Sequence, residues 1–182
     1  MMVFQSPALQ TLAFVYGLTF AVGLVFATPD QAVLGALLLP VLVWLSLVDL
    51  ARHEIPDLAS ASIALVGFGF QWHLHGPGPE LWVALGVALG LTALLWGVGA
   101  LFFSRTGTEA LGIGDAKLIG AGALCVGAQS VWLVIFVAAT GGIAAALIAR
   151  RRDAAAGEQG LAFGPFLAYA IFLVIFFPSL DS

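Results

Sequence analysis

Charge is what this chain most lacks. Six Lys and Arg and ten Asp and Glu make up 9% of its 182 residues, against roughly 25% in soluble globular domains. With 62% hydrophobic residues and a mean hydropathy of +1.09, a soluble fold of this size would carry more apolar surface than its interior could hold. The chain belongs in a bilayer. Cysteine is nearly absent as well: Cys125 stands alone, which excludes an intrachain disulfide and any cysteine-rich zinc site. Between Leu124 and Val126 it reads as a small buried hydrophobe. The three histidines, His53, His73 and His75, form no metal-ligand spacing with the carboxylates, so no metal or other cofactor is expected. No basic patch suggests a nucleic-acid partner. No Lys or Arg precedes the first apolar stretch, which therefore lacks the charged flank of a signal peptide and reads as a retained span.

What is present is a succession of apolar stretches, at about 7–27, 31–50, 57–73, 81–103, 115–128, 130–149 and 161–177, most of them near the roughly 17–25 residues that a spanning helix needs. The segment at 115–128 is short and glycine-rich, so six or seven spans are expected. The pattern predicts an all-α polytopic bundle, with residues 1–182 forming a single integral membrane domain. Threaded through seven crossings, Arg52, Arg105, Lys117, Arg150, Arg151 and Arg152 all fall on one side, and the opposite loops hold Asp30, His73, His75 and Glu80 without any Lys or Arg. Basic residues flanking spans mark the cytoplasmic face, which predicts the N-terminus inside and the C-terminus outside. Residues 150–160, RRRDAAAGEQG, read as a polar, mobile cytoplasmic loop whose arginines anchor the topology. Gly86 and Gly90, spaced four apart, read as a site of close helix packing. No internal repeat is evident.

Two carboxylates stand out. Asp49 ends the apolar run LLLPVLVWLSLVD, and Asp115 stands at the entrance of the fifth stretch. Two crossings separate them, so the threading returns both to the same membrane face at similar depth. A membrane-embedded Asp is unfavourable by about 2.5–3.5 kcal/mol at a helix centre, and less near the interface. Taken singly, Asp49 could be an interfacial residue solvated by water and Asp115 a helix N-cap. Their surroundings point further. Gly112 and Gly114 free the backbone before Asp115 of side chains, and glycine permits positive φ and close approach. An extended peptide could lie against such a loop. Pro56, seven residues after Asp49, suits the start of the third span and fixes a tight turn, with Asp57 next as support for the helix start. Two neighbouring carboxylates do not both ionise easily, so one can act as general base on a water while the other acts as acid. This is aspartic-protease chemistry.

At these residues the sequence resembles the type IV prepilin peptidases, membrane aspartic proteases of the GxGD type. Asp49 with Pro56-Asp57 matches the first block of that family. Gly112-Ile113-Gly114-Asp115-Ala116-Lys117-Leu118 matches the second, and Phe163-Gly164-Pro165-Phe166-Leu167-Ala168 the third. The resemblance, over about residues 31–177, implies that Asp49 and Asp115 are the catalytic pair. It implies a prepilin or pseudopilin substrate with a short basic leader, cut after a glycine just before a hydrophobic helix, at the cytoplasmic face of the plasma (inner) membrane. Lys117 and the 163–168 block would shape the site. Many family members carry an additional cytoplasmic domain with paired Cys-x-x-C motifs, associated with methylation of the new N-terminus. That domain is missing here, so the sequence is similar to the short, peptidase-only forms of tight-adherence pilus and archaeal flagellar-type systems.

Three other readings compete. The presenilin and signal-peptide-peptidase group pairs Tyr-Asp with GxGD, but Val48 precedes Asp49 here, and the Pro-Ala-Leu at 7–9 comes before both aspartates rather than after them. An ion- or proton-coupled transporter could use the two aspartates as a relay, although transporters place such groups near the midplane. A non-catalytic scaffold explains the spans but not the paired blocks.

Overall fold

The computed structural model describes residues 7–107, 112–152 and 162–177. Among these residues there are seven α-helices: α1 (Pro7–Phe26), α2 (Pro29–Arg52), α3 (Asp57–His75), α4 (Pro79–Thr106), α5 (Ile113–Val126), α6 (Val131–Arg152) and α7 (Gly164–Phe176). Each lies within a few residues of an apolar stretch. The boundaries are set by local chemistry. Thr28 and Gln31 form a reciprocal capping box at the start of α2, with Thr28 N–H donating to Gln31 Oε1 at 2.9 Å and Gln31 N–H to Thr28 Oγ1 at 3.3 Å. Prolines stand in the first turns of α2, α4 and α7, where a missing N–H is harmless. Gly76, Gly107 and Gly127 follow α3, α4 and α5 at positive φ. Beyond Arg152, the polar segment read at 150–160 lies outside the described residues.

The expected all-α bundle of six or seven helices is borne out, and its helices differ in length. Among the described residues four helices, α1, α2, α4 and α6, are long and apolar enough to cross a membrane. α5 and α7, with 14 and 13 residues, extend only about 20 Å at 1.5 Å per residue, short of the roughly 30 Å hydrocarbon core. Their apolarity serves another purpose. Every residue of α5 from Leu118 to Cys125 is buried, enclosed by α3, α4, α6 and α7. α7 buries Leu167, Ala168, Ala170, Ile171 and Phe172 against α2 and α6. These two short helices form the middle of the bundle, and the protein is a multi-pass membrane protein built around them.

Close packing in this core uses glycines other than those expected. A Cβ on Gly86 or Gly90 would meet nothing within 4 Å, so both face outward. Tight contacts include Gly67, against the backbone of Leu124 and Cys125, Gly120, against Thr92 and the Ala88 carbonyl, Gly122, against Ile171, and Gly23 and Gly35, against Phe176. Cys125 is buried as expected.

The helix ends are sorted by charge. Residues from the starts of α2 and α4 and the ends of α3, α5 and α7 line one cavity of about 680 Å³, with Asp30, His75 and Glu80 among them and no Lys or Arg. All six basic residues lie toward the other end of the bundle.

Candidate active site

Asp49 belongs to the last turn of α2. The buried positions of this helix, Leu34, Gly35, Leu38, Leu42, Leu45, Ser46 and Asp49, recur at three- and four-residue spacing, so Asp49 continues the core-facing stripe. It is only 4% exposed. An unpaired carboxylate at such a depth would be strongly disfavoured. It is paired: Gly164 N–H donates to Asp49 Oδ2 at 2.9 Å. Gly164 is the first residue of α7, so the carboxylate sits on a helix N-terminus, where unpaired N–H groups and the macrodipole favour negative charge. A Cβ on Gly164 would lie 2.8 Å from Asp49 Oδ2 and 3.0 Å from its Cγ. Only glycine lets α7 come this close. Phe163 is the N-cap of α7 and Pro165 occupies its first turn.

Asp115 is half-buried in the first turn of α5. It is not the N-cap, which is Gly112; Asp115 is the third helical residue, and its own N–H donates to the Gly112 carbonyl at 3.1 Å. Asp49 lies near enough for a charge on it to bear on Asp115, so the ends of two helices bring carboxylates 66 positions apart in sequence into one region.

The turn between α2 and α3 makes this possible. His53 caps α2 in the left-handed conformation, φ 54° and ψ 37°, with its N–H bonded to the Asp49 carbonyl at 2.8 Å. It is the one non-glycine residue at positive φ among those described, a conformation that costs about 1–2 kcal/mol. It reverses the chain directly after Asp49. Pro56 then stands as the N-cap of α3, with extended backbone, and Asp57 is the first helical residue, one position later than the reading that placed Pro56 within the helix. Asp57 Oδ1 pairs with Lys117 Nζ at 2.7 Å, tying the start of α3 to α5.

Gly114 behaves differently from expectation. A Cβ there would lie 2.9 Å from Ile55 Cβ, so the space it leaves is filled by this chain's own turn. Neither Gly112 nor Gly114 adopts positive φ. The glycines admit Ile55 and the Asp115 carboxylate, and the clearance argued for a substrate peptide is not there at Gly114. Ile55 and the left-handed His53 were both missed from sequence. The fixed Asp-to-Pro spacing was the available signal for a constrained turn.

The type IV leader peptidase family model matches residues 36–148, a stretch that includes both aspartates. The chain belongs to this family. Relatives of this leader peptidase family member include proteins named prepilin leader peptidase/N-methyltransferase. The one from Burkholderia pseudomallei (strain 1026b) is 33% identical over 82% of this chain and 48% of its own length. That from Pectobacterium carotovorum subsp. carotovorum is 33% identical over 90% and 57%, and that from Xanthomonas campestris pv. campestris 36% identical over 74% and 46%. The chain thus spans about half the length of the curated relatives it matches. No solved structure matches it significantly.

Proposed function

We propose that this chain is an aspartic endopeptidase that removes the short leader peptide from type IV prepilins or pilin-like proteins, with Asp49 and Asp115 as its catalytic pair. The observation that carries this reading is the placement of Asp49, in the last turn of α2, and Asp115, in the first turn of α5, at one end of a membrane bundle, near enough for the charge of one to bear on the other. Family membership and relatives named as prepilin leader peptidases support the substrate class. Nothing favours the transporter reading: the pair lies at helix ends rather than halfway along a span.

In this proposal one carboxylate, ionised, takes a proton from a water that attacks the scissile carbonyl. The other, neutral, donates its proton to the carbonyl oxygen, and the leaving amine is protonated as the carbon–nitrogen bond breaks. The backbone N–H of Gly164 holds the Asp49 carboxylate in place, and the first turn of α5 carries Asp115. Asp57, Lys117, Pro56, Phe163 and Pro165 maintain the helix ends that carry them. The gathering of Lys and Arg at the site end supports a cytoplasmic catalytic face in the plasma (inner) membrane, and the packing of α5 against α3, α4, α6 and α7 supports one membrane domain.

The test is cleavage of a membrane-inserted prepilin. Asp49→Asn and Asp115→Asn should each lower the rate by about 10²–10⁴-fold at wild-type abundance in the membrane. Substantial turnover by either purified variant would remove that residue from the pair.

A further inference from the structure

α1 lies outside the stretch matched by the family model, yet two of its hydroxyls reach the two helices whose ends form the Asp49–Gly164 contact. Tyr16 OH lies 3.3 Å from Ser46 Oγ. Ser46 donates its own proton to the Leu42 carbonyl at 2.8 Å, so it accepts from Tyr16. One turn further along the same face of α1, Thr19 Oγ1 is 2.9 Å from the Tyr169 hydroxyl on α7. The rings of Tyr16 and Tyr169 meet edge to face, 5.5 Å apart. Tyr16 is 1% exposed, Thr19 8% and Ser46 0%.

Position decides what these bonds do. Ser46 stands three residues before Asp49, and Tyr169 five residues after Gly164. α2 runs toward the site and α7 away from it, so both partners lie within about two helical turns of the contact, on its membrane side. Burial alone does not call for the hydroxyls, since a phenyl ring at position 16 would pack as well on Phe172, whose centroid is 5.1 Å from that of Tyr16. In a medium without water each hydroxyl needs a partner, and each has one on a different site helix. A bond of 2.9 Å to Asp49 tolerates only a few tenths of an ångström of sliding between α2 and α7.

We propose that Tyr16 and Thr19, acting through Ser46 and Tyr169, are positioning residues that hold α2 and α7 in the register at which Gly164 N–H reaches Asp49. The proposal rests on the reading of Asp49 as catalytic for its effect on rate, but not for its effect on the contact. Two measurements are made on the full-length protein in one detergent: steady-state cleavage of a prepilin, and hydrogen–deuterium exchange of the peptide that contains Gly164. Tyr16→Phe should lower kcat about five-fold, the factor for one lost hydrogen bond, leave KM within about two-fold, and hasten exchange at Gly164. Thr19→Val should do the same, and carries the test alone if Tyr16→Phe does not insert. Thr140→Val, which removes an α6 hydroxyl bonded only to its own helix at the Phe136 carbonyl, should change neither. Wild-type kcat, a raised KM in place of a lowered kcat, or unchanged exchange at Gly164 in the folded variants overturns the proposal. If the wild type cleaves no prepilin, the functional reading fails, and the exchange measurement still decides whether α1 sets the contact.

Discussion

The most demanding position in the molecule is Gly164. Its N–H is the donor that Asp49 needs, and its missing Cβ is what lets the donor arrive. Gly164→Ala keeps the N–H but places a methyl 2.8 Å from Asp49 Oδ2, so α7 must retreat. We expect roughly 10²-fold lower cleavage, since misplacement by about 1 Å costs that much, with about 1–3 kcal/mol lost to overpacking; rate and thermal stability measured together check both. Gly114→Ala meets Ile55 at 2.9 Å and should lower stability and rate in step, by about 1–3 kcal/mol, because the methyl pushes the α2–α3 turn from α5. Gly112→Ala meets only the Asp115 carboxylate, at 3.3 Å, and should be milder. A Gly114→Ala protein with full stability and a lost rate would instead point to peptide clearance. The sequence made Asp49 and Asp115 visible because carboxylates are so few. Their surroundings were less legible. G-x-G reads locally as an open loop, whereas Ile55, nearly sixty residues earlier, occupies it.

At the scale of elements, α5 is the helix least tolerant of added volume. A Cβ on Gly120 runs into the Thr92 hydroxyl and the Ala88 carbonyl, so Gly120→Ala should destabilise by about 1–3 kcal/mol. Gly86→Ala and Gly90→Ala on α4 meet nothing and should each stabilise by about 0.5–1 kcal/mol. Thermal unfolding of the three variants in one detergent gives the comparison, and a destabilising Gly86→Ala would mean that α4 packs on something outside this chain. The Asp57–Lys117 pair, with both side chains well exposed, should couple by only about 0.2–1 kcal/mol in a double-mutant cycle. Helix positions were largely legible from apolar runs broken by Gly and Pro. The roles of α5 and α7 were not. An interior helix and a lipid-facing helix are equally apolar in sequence; shortness and glycine set α5 apart, and nothing did so for α7. Along α2, twelve of the thirteen residues in LLLPVLVWLSLVD carry no charge, which hid the buried stripe that ends in Asp49.

For the molecule as a whole, sorting Lys and Arg to one end predicts a single orientation. Single cysteines introduced at positions 52 and 105 should react with an impermeant thiol reagent only from the cytoplasm, and one at position 78 only from outside. External labelling at position 105 would reverse the arrangement. The sequence carried this much because charge sidedness needs no knowledge of contacts, whereas the contacts that finish the site join residues 60 and 115 positions apart. The longer of these has a consequence for biosynthesis. Asp49 leaves the ribosome 115 residues ahead of Gly164, which at 5–20 residues per second is roughly 6–23 s. Throughout that interval the nascent chain carries Asp49 without its donor, and α5 can bring up Asp115 well before α7 exists. The Asp49–Gly164 contact therefore forms late, after six of the seven described helices have been made, and a ribosome stalled before Gly164 displays both acids on a membrane-bound intermediate in which Asp49 still lacks its donor.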